Sequence, residues 1–209
     1  MNIKNVYLYV FNTMADWEYG YVTAELNSGR CFKKGTKPLN VITAGADKEM
    51  ITTMGGVSIK PELSIEECLA EQGSLFILPG GDTWGGSIHE AAMKKIREAI
   101  QAGAVIAAIC GATIGLAQAG YLDTRRHTSN DLDYLKMVCP GYKGEALYER
   151  EPAVTDDNVI TASGIAPLEF AREVLKKMDV FTPNTLHAWY YLNKTHKPEY
   201  YYQLMEATS

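Results

Sequence analysis

The chain has 209 residues, enough for one domain (expected span 1–209) with a full-sized core, and carries 20 Lys plus Arg against 25 Asp plus Glu for a net charge of −5. It has no basic run or stripe to neutralise phosphates, which argues against nucleic acid and anionic membrane as partners. Met1 to Phe11 lacks a basic segment leading into a long apolar region, and no stretch reaches the roughly 18 apolar residues of a membrane span, so the cytoplasm is the expected location.

In chain order, apolar, β-branched or aromatic runs at Val6–Phe11, Leu39–Ala44, Leu75–Leu78, Val105–Ile109 and Val159–Ala162 alternate with helical patterns. That alternation predicts an α/β fold with a mostly parallel sheet sandwiched by helices. Asp16 is expected to cap the helix that starts at Trp17, and Ser64 with Glu67 and Ser87 with Glu90 read as capping boxes. The clearest amphipathic helices are Ala91–Ala102 and Leu168–Met178. Met50 to Lys60 predicts a hairpin turning at Gly55 and Gly56, and Ala146–Tyr148 with Ala153–Thr155 predicts a second strand pair. From residue 182 to 209 the sequence is an aromatic helical extension, including Trp189, Tyr201 and Tyr202, expected to pack on the domain or on a second subunit.

The four cysteines, Cys31, Cys68, Cys110 and Cys139, are too widely spaced for a CxxC site, and a chain of this size needs no disulfide staples. Cys110 alone follows a buried strand directly and precedes a helix, flanked by Ala107, Ala108, Gly111 and Ala112. Small neighbours are what a nucleophile elbow requires, because its strand-to-helix turn is too sharp for bulky side chains. At a helix start, unpaired N–H groups favour the thiolate, the reactive form of cysteine. Loops after parallel strands emerge at one sheet edge, where open α/β folds bind ligands. Three such loops carry Glu18 in NTMADWEYG, Gly80, Gly81 and Trp84 in PGGDTWGG, and Cys110 itself. The other cysteines read as structural, His89 as a solvated first-turn residue beside Trp84, and His187 and His196 lack metal-site spacing.

The pieces ADWE, ILPGG, AAICGA and VITASG, in this order, resemble the DJ-1/PfpI superfamily, whose fold is flavodoxin-like and similar to class I glutamine amidotransferases. The resemblance runs from Val6 to about Met178. It implies a protonated Glu18 carboxyl hydrogen-bonded to the Cys110 thiolate, with the N–H groups of Gly81 and Gly111 as an oxyanion hole. Gly111 stands where the proteases of the superfamily carry histidine. Asn130, in Thr128-Ser129-Asn130, stands where DJ-1-like members carry it. His127 lies three residues earlier, an odd offset that turns it to the other face of an extended strand; it reaches the site as base only with a shifted register. No His-x-Glu pair is present, which disfavours ammonia release from glutamine.

Three functions stay open. The first is an enzyme in which Cys110 attacks small carbonyl or acyl substrates in hydrolase, glyoxalase or deglycase-like chemistry. The second is a redox- or stress-responsive protein whose Cys110 is oxidised. The third is an amidotransferase-like domain serving a partner. The expected partners are a small-molecule substrate and a second copy of the chain as a homodimer; no cofactor and no metal is expected.

Overall fold

Apolar runs without polar alternation fit strands covered on both faces. Val6–Tyr9, Leu75–Leu78 and Val105–Ile109 are such runs, with no residue more than 4% exposed. The computed structural model describes residues 5–208, so the expected domain limits at 1 and 209 fall outside the described residues. Its elements are β1 (Asn5–Tyr9), α1 (Asp16–Ser28), β2 (Val41–Gly45), β3 (Ile51–Thr52), β4 (Ser58–Ile59), β5 (Leu63–Ser64), β6 (Ser74–Leu78) and α2 (Glu90–Gln101). There follow β7 (Val105–Ile109), α3 (Ala112–Gln118), α4 (Leu132–Val138), β8 (Ala153–Asp156), β9 (Val159–Ala162), α5 (Pro167–Lys177), α6 (Pro183–Thr195) and α7 (Pro198–Thr208).

The main sheet runs β5-β2-β1-β6-β7-β9-β8, parallel except where β8 folds back on β9. Its register sets Tyr7 beside Ile42 and Phe76, and Ala107 beside Ile77 and Ile160. Counting β2, β1, β6, β7 and β9 alone gives the order 2-1-3-4-5, the flavodoxin-like α/β arrangement. Because β1, β6, β7 and β9 are successive neighbours, the loops at their carboxyl ends meet at one edge of the sheet.

The hairpin forms as predicted, with Ile51 opposite Ile59 and Thr52 opposite Ser58. Asp16 does not cap α1: Ala15 is the N-cap, and the Asp16 carboxylate accepts the Gly55 N–H at 2.6 Å, tying the hairpin to the helix start. The Ser64–Glu67 box is made but closes a single 3-10 turn. Ser87 begins another such turn, and α2 starts after it with no side-chain cap, so the Ser87–Glu90 box is absent. Of the second predicted pair, Glu145–Leu147 is a 3-10 turn, and Tyr148 makes only an isolated bridge to His127. The partner of β8 is β9, which lies across the tight Asp156–Asn158 turn and extends the sheet.

The aromatic extension packs on the domain through α6. Trp189, 1% exposed, lies edge-on to Tyr21 and Phe181 and donates its indole N–H to Glu25 at 2.9 Å. Glu25 is buried and also pairs with Arg30. Helix α7 packs on α6 and leaves Tyr201, Tyr202 and Met205 exposed. No helix among the described residues is long and apolar enough to cross a membrane.

Candidate functional site

Strand β7 ends at Ile109, and α3 begins at Ala112, leaving two residues for the reversal. Cys110 takes the strained part of it, with φ of 58°, where a non-glycine residue persists only when its surroundings hold it. Those supports are visible: its N–H donates to Ala162 O at 2.9 Å, and its carbonyl accepts the Thr113 N–H at 3.1 Å and the Thr113 hydroxyl at 2.6 Å. The thiol is half-buried, whereas Cys31, Cys68 and Cys139 are buried.

Glu18 reaches the site from the first turn of α1, on the inward stripe of that helix with Val22, Glu25 and Leu26. Its Oε2 accepts the Gly80 N–H at 2.5 Å, and the carboxyl stands against the Cys110 thiol between Gly80 and Gly164. Among the described residues, Oε1 has no hydrogen-bond partner although it is buried. Gly80 and Gly164 press on this pair from two sides. A Cβ on Gly80 would fall 2.9 Å from both Sγ and Glu18 Oε2, and one on Gly164 would fall 2.7 Å from Sγ and 3.1 Å from Oε1. Burial raises Glu18 to about 7, opposed by the Gly80 N–H and the thiol. Burial also pushes Cys110 up, to about 11 with the Glu18 charge beside it, while N–H groups of Asn130 and Gly111 pull it down.

Asn130 completes the contact set. Its Nδ2 donates to Cys110 Sγ at 3.2 Å and its Oδ1 accepts the Gly164 N–H at 2.8 Å, so both ends of the amide are assigned by their partners. An amide in this position donates to sulfur but takes no proton from it. His127 is a correction to the tentative base. It is 0% exposed, and its Nδ1 is held by Arg125 O at 2.7 Å and its Nε2 by Tyr142 Oη at 2.6 Å. The odd offset from Asn130 turns it into the packing beneath Tyr148 instead of toward the thiol.

Gly81 and Gly111 are brought together, but the atom of Gly81 that approaches Gly111 is its carbonyl oxygen, 3.1 Å from where a Gly111 Cβ would stand. Trp84 is 2% exposed, its indole donates to Pro79 O at 2.9 Å, and the cavity it borders is shared with His89, Met93 and Gly115 and not with Cys110. His89 is likewise buried instead of solvated, stacked on Trp84. The sequence reading missed Gly164, whose signal lay in the motif VITASG, and the exposed Trp17, whose Nε1 donates to Gly164 O at 3.1 Å.

Comparison with known proteins places the fold in a known family. The model of the DJ-1/PfpI family matches residues 4–177. A Bacillus subtilis protein named "uncharacterized protease YoaZ" is 63% identical over 207 residues, covering 99% of both chains. The crystal structure of a thiJ/pfpI family protein from Bacillus anthracis shares 65% identity with a TM-score of 0.97, covering 99% of this chain and 98% of that one. A DJ-1 superfamily protein from Agrobacterium tumefaciens shares 26% identity with a TM-score of 0.80, covering 93% of this chain and 100% of that one.

Proposed function

Since the chain belongs to the DJ-1/PfpI family, we propose that Cys110 is its nucleophile and that it acts on small carbonyl or acyl compounds, with Glu18 as the group that moves the proton. The observation that carries this reading is the strained Cys110 touching a buried carboxyl on one side and the Asn130 amide on the other. The bare Glu18 Oε1 supports a thiolate beside a protonated Glu18. Sulfur accepts the Asn130 N–H and Oε2 accepts the Gly80 N–H, whereas Oε1 has no partner. With the proton on Oε1 and directed to sulfur, that oxygen gains its missing partner. The protease name of the Bacillus subtilis relative supports a hydrolytic reaction.

On an ester, the thiolate forms the C–S bond as the carbonyl π pair moves to oxygen. Collapse of that adduct breaks the bond to the alkoxide, which leaves with the Glu18 proton. Water then adds to the thioester, gives its proton to the Glu18 carboxylate, and releases the acid and the thiolate. Turnover of an activated ester and of methylglyoxal tests the reading: Cys110→Ala should abolish both, and undiminished turnover in that variant would refute it.

A second reading is favoured by one observation: Asn130, and no histidine, contacts the sulfur. A site without an imidazole shuttle suits oxidation, in which the thiolate takes oxygen from peroxide and hydroxide leaves, giving sulfenic acid. A second peroxide carries it to sulfinic acid with loss of water. Rapid gain of two oxygens at Cys110 in a wild type that does not turn over either substrate would select this reading.

A further inference from the structure

The buried His89 plays no part in the chemistry above, although both its ring nitrogens are engaged and it lies behind the site. Nδ1 meets Tyr9 Oη at 3.0 Å on β1, and Nε2 meets Thr83 Oγ1 at 3.0 Å on the turn after β6. Its ring stacks on Trp84, with centroids 4.2 Å apart and planes 16° from parallel, and meets Phe11 edge-on at 4.8 Å. Trp84 in turn bonds to Pro79 O and fills the space against α3. A Cβ on Gly111 would stand 2.9 Å from Trp84 Cδ1, and one on Gly115 would stand 2.7 Å from Cζ3. An apolar side chain would fill this space without needing two buried hydrogen bonds; the histidine adds direction.

We propose that His89, Trp84 and Thr83 are positioning residues that lock the Pro79–Gly86 turn between β1 and α3 and so set where Gly80 and Gly81 stand against Glu18 and Cys110. This rests on the reading of Cys110 as the reactive centre. The consequence runs through one bond. The Gly80 N–H holds Glu18 Oε2 and leaves the partnerless Oε1 as the oxygen that can carry the proton toward the thiol. A turn that is clamped at Thr83 keeps that N–H aimed; a turn released there lets it drift. The neutral state that burial imposes on His89 keeps a donor at one nitrogen and an acceptor at the other, which the two hydroxyls complement.

Thr83→Val removes the hydroxyl at nearly constant volume, and Thr83→Ser returns it. Iodoacetamide labelling of Cys110, mapped by mass spectrometry against pH, gives the thiolate midpoint without requiring turnover. Thr83→Val should move that midpoint upward and lower kcat for an activated ester about tenfold at unchanged KM, the scale of a small misplacement. Thr83→Ser should restore both. A Thr83→Val protein with a lower Tm but the wild-type midpoint and kcat would overturn the proposal. Should Thr83→Val fail to fold, Trp84→Phe, which keeps the stack and loses the bond to Pro79, is judged by the same two readouts. Wild-type labelling that does not single out Cys110 would defeat the site reading itself, and the positioning role with it.

Discussion

At the scale of single residues, burial raises the pKa of all four thiols, Cys68 to about 12 and Cys110 to about 11, so access must separate them. Cys31, Cys68 and Cys139 are 6% exposed or less, and Cys110 is half-buried. Iodoacetamide should therefore label Cys110 first in the folded protein; faster labelling of any other cysteine would contradict the site. His127→Ala should leave Cys110 labelling unchanged and cost about 1 kcal/mol of stability, because it strands the half-buried Tyr142 hydroxyl. A large loss of labelling would mean that His127 reaches the thiol in solution. Cys110 was legible in the sequence because an elbow demands small neighbours on both sides, a local pattern. Asn130 was legible as a substitution in a motif, but its double engagement with Cys110 and Gly164 was not, since it joins residues 34 positions apart.

At the scale of elements, the site is the meeting of four loops, and its tolerance is set by how closely they pack. Gly80→Ala would bring a Cβ within 2.6 Å of Cys110 Cβ, where the partner is a strained elbow that cannot retreat. It should cost about 1–3 kcal/mol by overpacking and lower the labelling rate of Cys110, measured by denaturant unfolding and mass mapping. Neutral behaviour in both would show that the turn and elbow are not in contact. The long parallel strands and the two amphipathic helices followed from periodicity alone, because burial on both faces or on one stripe writes itself into the residue pattern. The misread features were short ones: Asp16, Ser87 and Ala146–Tyr148 carry sound local signals for caps or strands. Asp16 lost its role to the Gly55 N–H, which lies on another element, and sequence spacing does not record such competition.

At the scale of the whole molecule, two buried titrating centres act on stability with opposite signs. Glu18 is raised from 4.5 to about 7, so the folded state holds an extra proton in that window and stability falls as pH rises through it, by about 3 kcal/mol in all. His89 is lowered from 6.5 to about 4, so the unfolded state holds the extra proton and stability rises with pH between those values by a similar amount. Burial lowers His127 in the same direction as His89. Between about pH 4.5 and 6.5 the contributions oppose each other, so wild-type stability should climb less with pH than that of a protein without the Glu18 carboxyl. Glu18→Gln should uncover the histidines, giving stability that climbs with pH across this window in urea unfolding; a profile parallel to wild type would contradict the buried, raised carboxyl. The central claim is that the pair's proton sits on Glu18 and its charge on Cys110. Thiolate absorbance near 240 nm, titrated against a Cys110→Ser blank in wild type and Glu18→Leu, tests it most directly. In the wild type the Cys110 thiolate should appear well below the midpoint near 11 that burial and a charged Glu18 would impose, and the midpoint should rise when the Glu18 donor is removed. A thiolate that appears only near pH 11, or a midpoint that falls in Glu18→Leu, would place the proton on sulfur and contradict it.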